Sequence, residues 1–320
     1  MIYGLLSGVL WGVDTVLLGI ALSMSQFVSS EQAIFLAPFV STFLHDIFSS
    51  IWMAIYMMFK RGIKKTVKAA KTRSGRYIVL GALLGGPVGM TGYLLAIKYI
   101  GPAYTAIISS LYPAVGALLS YIFLKEKMKP ISILGLFISI SGIIALGYAP
   151  GGEVNNMLLG FAFAILCVVG WASEAVICAY GMKEDEITPE QSLQIRQLTS
   201  AITYGLIIIP IVKGIKFTMS VVPTTATAII ILTALAGTAS YVFYYKGIHK
   251  IGATKAMALN ITYSAWSIIF GFILLKNALD LKMIVCCICI MLGSVMAAGN
   301  IKEIFEVFKV KKNHKGKCID

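Results

Sequence analysis

Residues 93–128, YLLAIKYIGPAYTAIISSLYPAVGALLSYIFLKEKM, align without a gap on residues 244–279, YYKGIHKIGATKAMALNITYSAWSIIFGFILLKNAL, at an offset of 151. Nine of the 36 positions are identical: Tyr93/Tyr244, Ile97/Ile248, Ile100/Ile251, Gly101/Gly252, Tyr112/Tyr263, Ala114/Ala265, Ile122/Ile273, Leu124/Leu275 and Lys125/Lys276. Apolar composition inflates matches between such segments, but it does not produce the glycine, tyrosine and lysine matches. Each stretch reads as the end of one apolar helix, an Ile-Gly turn, and a second apolar helix that stops at a lysine. A fainter echo lies upstream, where Trp11-Gly-Val-Asp14 faces Trp171-Ala-Ser-Glu174. The chain is built twice from one plan.

The solvent for that plan is lipid. Of 320 residues 58% are hydrophobic and 13% charged, with a mean hydropathy of +0.86. A soluble domain carries about 25% charged residues, and an enlarged soluble core does not explain apolar runs of about 20 residues that keep recurring. Lipid cannot satisfy free backbone groups, so the runs must be helical. Apolar length and Gly/Pro punctuation predict helices over 2–23, 33–59, 77–98, 102–124, 131–148, 157–182, 191–212, 225–248, 253–275 and 281–301. The expected fold is an all-α membrane protein of ten transmembrane helices. Without a basic stretch and a small-residue cleavage site, the first run reads as a retained helix rather than a signal peptide.

Charge then sets the topology. With the N-terminus inside, inner segments hold 21 of the 27 lysines and arginines, outer loops hold five, and Arg196 lies within a helix. This asymmetry places both termini in the cytoplasm. It also accounts for the net charge of +13 without a nucleic-acid partner. The eight basic residues of 60–76 read first as a topogenic loop, with contact to anionic lipid as the alternative. Residues 1–150 form one repeat of five helices, 151–301 the second, and 302–320 a basic cytoplasmic tail. Five is odd, so the halves cross the membrane in opposite directions, an arrangement that places a transporter's substrate at the midplane between them.

Fourteen residues are acidic, and only Asp14, Asp46 and Glu174 fall near helix middles. Charge there is costly and is usually functional or paired. The available pairing partners are His45 and Arg196. Arg196, nearer a helix end, is not expected to neutralise all three, which leaves an acidic interior suited to a cation or a proton. Aromatic residues accompany the acids. Trp11 lies three residues from Asp14, and Trp171 three from Glu174, on shared helical faces. Tyr241, Tyr244 and Tyr245 share another face, and Asn260, Tyr263 and Trp266 a third. The expected substrate site is therefore Trp11, Asp14, Trp171, Glu174, Tyr241, Tyr244, Asn260, Tyr263 and Trp266. Proton-coupling candidates are Glu174, His45, Asp46 and Asp14. Packing alone also explains an aromatic stripe, and an interhelical hydrogen bond also explains His45-Asp46. Aromatic faces attract a desolvated cation by about 0.5–2 kcal/mol each, and a quaternary ammonium has no N–H to donate, so a cage suits it.

Other chemistries find no support. Gly85-Gly86-Pro87-Val88-Gly89-Met90 lacks the Lys-Ser/Thr of a phosphate loop and reads as close helix packing or a kink. Five of the six cysteines lie in apolar runs and read as small packing residues, so neither a disulfide nor a metal site is implied. HExxH and GxSxG are absent, so an enzyme is not expected and no cofactor is implied. A receptor or structural role would need an extramembrane domain, and none is visible.

Several runs carry a family likeness: Gly86-Pro-Val-Gly-Met90 leading into Ala96-Ile-Lys-Tyr-Ile-Gly101, Leu44-His-Asp46, Trp171-Ala-Ser-Glu174, Ile195-Arg-Gln-Leu-Thr-Ser200, and Leu259-Asn-Ile-Thr-Tyr263 with Trp266. The chain resembles the drug/metabolite transporter superfamily with its EamA-type repeat, and within it the LicB-type bacterial choline transporters. The resemblance implies a bacterial inner-membrane carrier that holds a choline-like cation in an aromatic pocket, with uptake coupled to protons. It points to Trp11, Trp171, Glu174, Tyr241, Tyr263 and Trp266. Asp14 departs from the pattern it implies, and an extra carboxylate would shift preference toward primary amines or larger cations, or alter coupling. An exporter of cationic drugs, amines or amino acids on the same fold is the alternative, because sequence does not set direction.

Overall fold

A backbone in lipid must satisfy its own hydrogen bonds, and every regular element among the described residues is helical. The computed structural model describes residues 1–148, 156–184, 187–276 and 278–299. The expected junction at 150/151 with Pro150-Gly151-Gly152, Asn277, and the tail 302–320 with Cys318 lie outside these. The helices are α1 (Ile2–Leu22), α2 (Glu31–Phe59), α3 (Ile63–Ala70), α4 (Arg73–Gly101), α5 (Tyr104–Leu124) and α6 (Pro130–Gly147). They continue with α7 (Met157–Lys183), α8 (Pro189–Ile211), α9 (Ile215–Val221), α10 (Thr225–Ile251), α11 (Ala253–Leu275) and α12 (Leu281–Ala297). Eight of them are long and apolar enough to cross a bilayer: α1, α2, α4, α5, α6, α7, α10 and α11. The α8–α9 pair qualifies only as a bent unit, with 119° between its parts, and α12 has 17 residues. The protein is a multi-pass membrane protein.

The helix starts follow their caps. α4 begins at Arg73 rather than at the expected 77, because the Thr72 hydroxyl accepts from the Gly75 N–H at 3.0 Å. α8 begins at Pro189 rather than 191, where Thr188 and Gln191 form a reciprocal capping box. Besides the single turn Ser25–Val28, two segments expected to be loops are helical. α3 lies within the basic stretch, and α9 turns back sharply after α8.

The sequence repeat is also a backbone repeat. Gly101 and Gly252 both take positive φ, at 77° and 89°, and break the chain between helices. Lys125 and Lys276, with φ of 56° and 54°, end α5 and α11 in the left-handed region. Both pairs keep the offset of 151. Between these points each segment carries a further interruption, at Ser110–Leu111 and at Ile261–Thr262.

Small residues let the helices approach. α6 and α12 meet where Ser139 bonds Ser294 at 2.8 Å and the Ile290 carbonyl at 2.9 Å. The Ser240 hydroxyl of α10 donates to the Ser7 carbonyl of α1 at 2.8 Å. Fully buried Met53, Ile78, Met182, Leu193, Tyr245 and Met257 belong to one apolar cluster at the end of the bundle that carries the basic loops. Glu126 adds a polar tie there. Its two carboxylate oxygens accept the N–H groups of Ala253 and Thr254, at 3.2 Å each, at the start of α11. A Cβ on Gly252 would stand 2.6 Å from Glu126 Oε1, so glycine is required both for φ and for space.

Glu126→Ala removes both acceptors from the α11 N-terminus. It should destabilise the protein by about 0.5–2 kcal/mol, read as a lower thermal unfolding midpoint in detergent. An unchanged midpoint would show that the contact is not maintained.

Candidate functional site

The acids enter the bundle on three different helices. α1 brings Asp14, α2 brings Asp46 and α7 brings Glu174, and all three are buried, at 3%, 6% and 6% exposure. α8 passes between them and carries Arg196, also 6% exposed. Arg196 Nε donates to Glu174 Oε1 at 2.8 Å, and its Nη1 stands 3.6 Å from Asp46 Oδ1. Its Nη2 donates to the Tyr241 hydroxyl at 3.2 Å, and the guanidinium lies 4.7 Å from the centre of the Tyr241 ring. His45 places Nε2 2.7 Å from Asp14 Oδ1 and Nδ1 3.9 Å from Asp46 Oδ1. The Ser200 hydroxyl donates to Asp46, and the Tyr245 hydroxyl donates to Glu174 at 3.0 Å. The result is one continuous chain of charge running Asp14, His45, Asp46, Arg196, Glu174. Isolated buried charges would be prohibitively costly, and only this mutual pairing makes them tolerable.

Glycines make room for the network. A Cβ on Gly85 would overlap the Glu174 carboxylate, and one on Gly86 would overlap the Ser200 hydroxyl. The run 84–90 that contains them is wound as a π-helix around Pro87. This wider turn is a local distortion that often marks functional sites.

A cavity of about 330 Å³ opens against this network. Its walls are aromatic, in two sets related by the repeat. Trp11 meets Tyr263 edge-on with centroids at 6.5 Å, and Trp171 meets Tyr112 edge-on at 5.8 Å. Trp11 also packs on Tyr241 at 4.9 Å, and Trp171 on Tyr93 at 5.4 Å. Tyr112 and Tyr263 are matched positions of the repeat, as are Trp11 and Trp171. Tyr112 donates to Asn260 Oδ1 at 3.1 Å, and the Asn260 amide donates to Ser7 at 3.1 Å. The cavity reaches Leu18, Gly19 and Leu22 near the C-terminal end of α1, where Gly19 faces open space.

Eight of the nine expected site residues line this cavity: Trp11, Asp14, Trp171, Glu174, Tyr241, Tyr244, Asn260 and Tyr263. The coupling candidates His45 and Asp46 also line it. Trp266 is not among the lining residues. It stacks on Phe270 at 6.0 Å and packs where Gly12 lets α1 approach α11. Tyr263 and Trp266 sit three apart on the unbroken stretch Tyr263–Leu275, yet only Tyr263 turns to the cavity while Trp266 faces α1. Tyr245, which shares a helix with Tyr241 and Tyr244, supports Glu174 from within the core. Sequence reasoning passed over Tyr93 and Tyr112, although their matches to Tyr244 and Tyr263 were the signal that could have found them. Arg196 reaches two of the three acids, Asp46 and Glu174.

Comparison with known proteins agrees with this architecture. The chain matches the EamA-like transporter family over residues 1–148 and again over 158–299. It is 33% identical over 309 residues to Protein LicB of Haemophilus influenzae, covering 95% of this chain and 97% of that protein. It is 25% identical over 256 residues to the uncharacterized transporter YyaM of Bacillus subtilis, covering 78% and 81%. One solved crystal structure superposes with a TM-score of 0.69 at 19% identity, covering 93% of this chain and 98% of that one, a likeness of fold alone.

Gly237 tests the charge chain from its backbone side. A Cβ there would stand 2.6 Å from Asp14 Oδ1 and 2.7 Å from His45 Nε2. Gly237→Ala should separate the pair and destabilise the protein by about 1–3 kcal/mol, seen in thermal unfolding. A variant as stable as the parent would show that the pair is not packed this closely.

Proposed function

We propose a choline-type carrier from the premise that this chain belongs to the EamA-like transporter family and is a membrane transporter. The substrate is a small organic cation, choline or a related quaternary ammonium, carried inward by alternating access and coupled to protons. The observation that carries this reading is the cavity itself. Three buried carboxylates face one arginine and one histidine, under aromatic walls drawn from both halves of the chain. Carboxylates in excess of cations attract positive charge in a low-dielectric interior. Tryptophan and tyrosine faces bind a quaternary ammonium that cannot hydrogen-bond. At about 330 Å³ the cavity sits at the lower end of the roughly 300–1,000 Å³ of small-molecule pockets, which suits a small cation better than a bulky drug. The sequence resemblance to LicB-type choline transporters and the identity to a protein of that name favour the same substrate.

In this reading the chain crosses a bacterial inner membrane ten times, as two inverted five-helix repeats with both termini in the cytoplasm. The basic loops then lie inside, on the side of the packed cluster around Met182 and Met257, and the cavity mouth at Gly19 faces outward. A cation enters there and settles among Trp11, Tyr241 and Tyr263 beside Asp14. Loading brings the buried charge closer to balance, and the halves rock to expose the site inward. His45, held between two carboxylates, carries the coupled proton.

Radiolabelled choline uptake into proteoliposomes, with and without an imposed proton gradient, tests this. Uptake should follow the gradient, fall strongly with Trp11→Ala, and lose its gradient dependence with His45→Ala. Absence of choline uptake by folded protein would remove the substrate, and gradient-driven uptake that survives His45→Ala would remove His45 from coupling.

A further inference from the structure

Arg196 is bound in this protein the way an organic cation would be. Its guanidinium lies 4.7 Å from the Tyr241 ring centre, on a carboxylate at 2.8 Å, and it is 6% exposed. An arginine keeps its charge in any protein environment. Its Nε donates to Glu174 and Nη2 to the Tyr241 hydroxyl, and Nη1 stands 3.6 Å from Asp46 Oδ1. Glu174 is further held by Tyr245. Glu174 is therefore held by the permanent cation of the site, whereas Asp14 is held by the titratable His45.

We propose that Arg196 is a tethered cation that fixes at one the number of positive charges the site accepts. This rests on the cation-carrier reading above. The ionisable groups on the cavity wall, apart from the tyrosines, are Asp14, Asp46, Glu174, Arg196 and His45. His45 Nε2 lies 2.7 Å from Asp14, its Nδ1 lies 3.5 Å from the Ser49 hydroxyl and 3.9 Å from Asp46, and the protonated ring counts as one positive charge. Three negative charges then meet two positive ones, and a single monovalent cation completes the balance. A neutral molecule of the same shape leaves one buried charge unmatched, and a dication brings one too many. A zwitterion is rejected for a different reason. Its carboxylate needs a cation, and the cavity's one permanent cation already lies against Glu174 and Asp46.

The test is isothermal titration of purified protein with four probes: choline, its neutral isostere 3,3-dimethylbutanol, the zwitterion glycine betaine, and the dication hexamethylethylenediammonium. The wild-type protein should bind choline roughly 100-fold more tightly than the other three, the scale set by an unmatched buried charge. Arg196→Gln opens a second vacancy for positive charge and should invert the ratio, so that the dication binds more tightly than choline. Arg196→Lys keeps the charge, loses the fork, and should keep the monovalent preference at lower affinity. A selectivity ratio is the readout because a merely structural role for Arg196 would lower affinity for all probes alike. Wild-type protein that binds choline and also binds betaine or the dication equally well overturns the inference and leaves the cation reading standing. That outcome needs no variant to fold. Arg196→Gln that keeps the choline preference overturns it as well, and wild-type protein that binds no choline overturns both.

Discussion

Three carboxylates in an interior without water cannot stand alone, and the arrangement of this protein follows from that constraint. Asp14, Asp46 and Glu174 arrive on helices far apart in sequence, and Arg196 and His45 bind them into one chain. The other features of the site accommodate the chain. Gly85, Gly86 and Gly237 leave room for its side chains, the π-helical turn at 84–90 shapes the wall beside it, and Ser200 and Tyr245 supply further donors. Replacing such a network by apolar side chains is often neutral or stabilising. Stability is thus a poor explanation for its presence, and the proposed charged substrate is a better one.

The duplication gives the cavity its walls. Each repeat contributes a tryptophan one helix turn from an acid, and each tryptophan packs against a tyrosine from the other repeat, Trp11 on Tyr263 and Trp171 on Tyr112. The backbone repeats with the same period, in the positive-φ glycines at 101 and 252 and the left-handed lysines at 125 and 276. The repeats differ where chemistry enters. Asp14 stands opposite Glu174, but Glu174 is held by Arg196 and Asp14 by His45. The halves are alike in scaffold and unlike in charge.

Much of this was legible in the sequence because lipid leaves a chain few options. Apolar runs about 20 residues long had to be helices, and a helix lies over each expected range. The short helices α3 and α9 were not legible, since eight and seven residues without a long apolar run give a weak signal. The cavity residues Trp11, Asp14, Trp171 and Glu174 were legible because a spacing of three on a helix fixes a common face. The same spacing did not carry to Trp266, three residues past the cavity-lining Tyr263, which packs on Phe270 and against Gly12 of α1 instead. The partners of Arg196 lie 22 and 150 positions away. No local pattern encodes such a pairing; it exists only once α8 has packed between α2 and α7.

The claim that unites fold, charge and function is that the cavity between the two halves holds one quaternary ammonium. An experimental structure of the protein saturated with choline tests it most directly. The account predicts headgroup density inside the cavity, within van der Waals contact of Trp11, Tyr241 or Tyr263 and facing Asp14, with Arg196 still on Glu174. A cavity that stays empty at saturating choline, or a headgroup bound elsewhere on the protein, would contradict it.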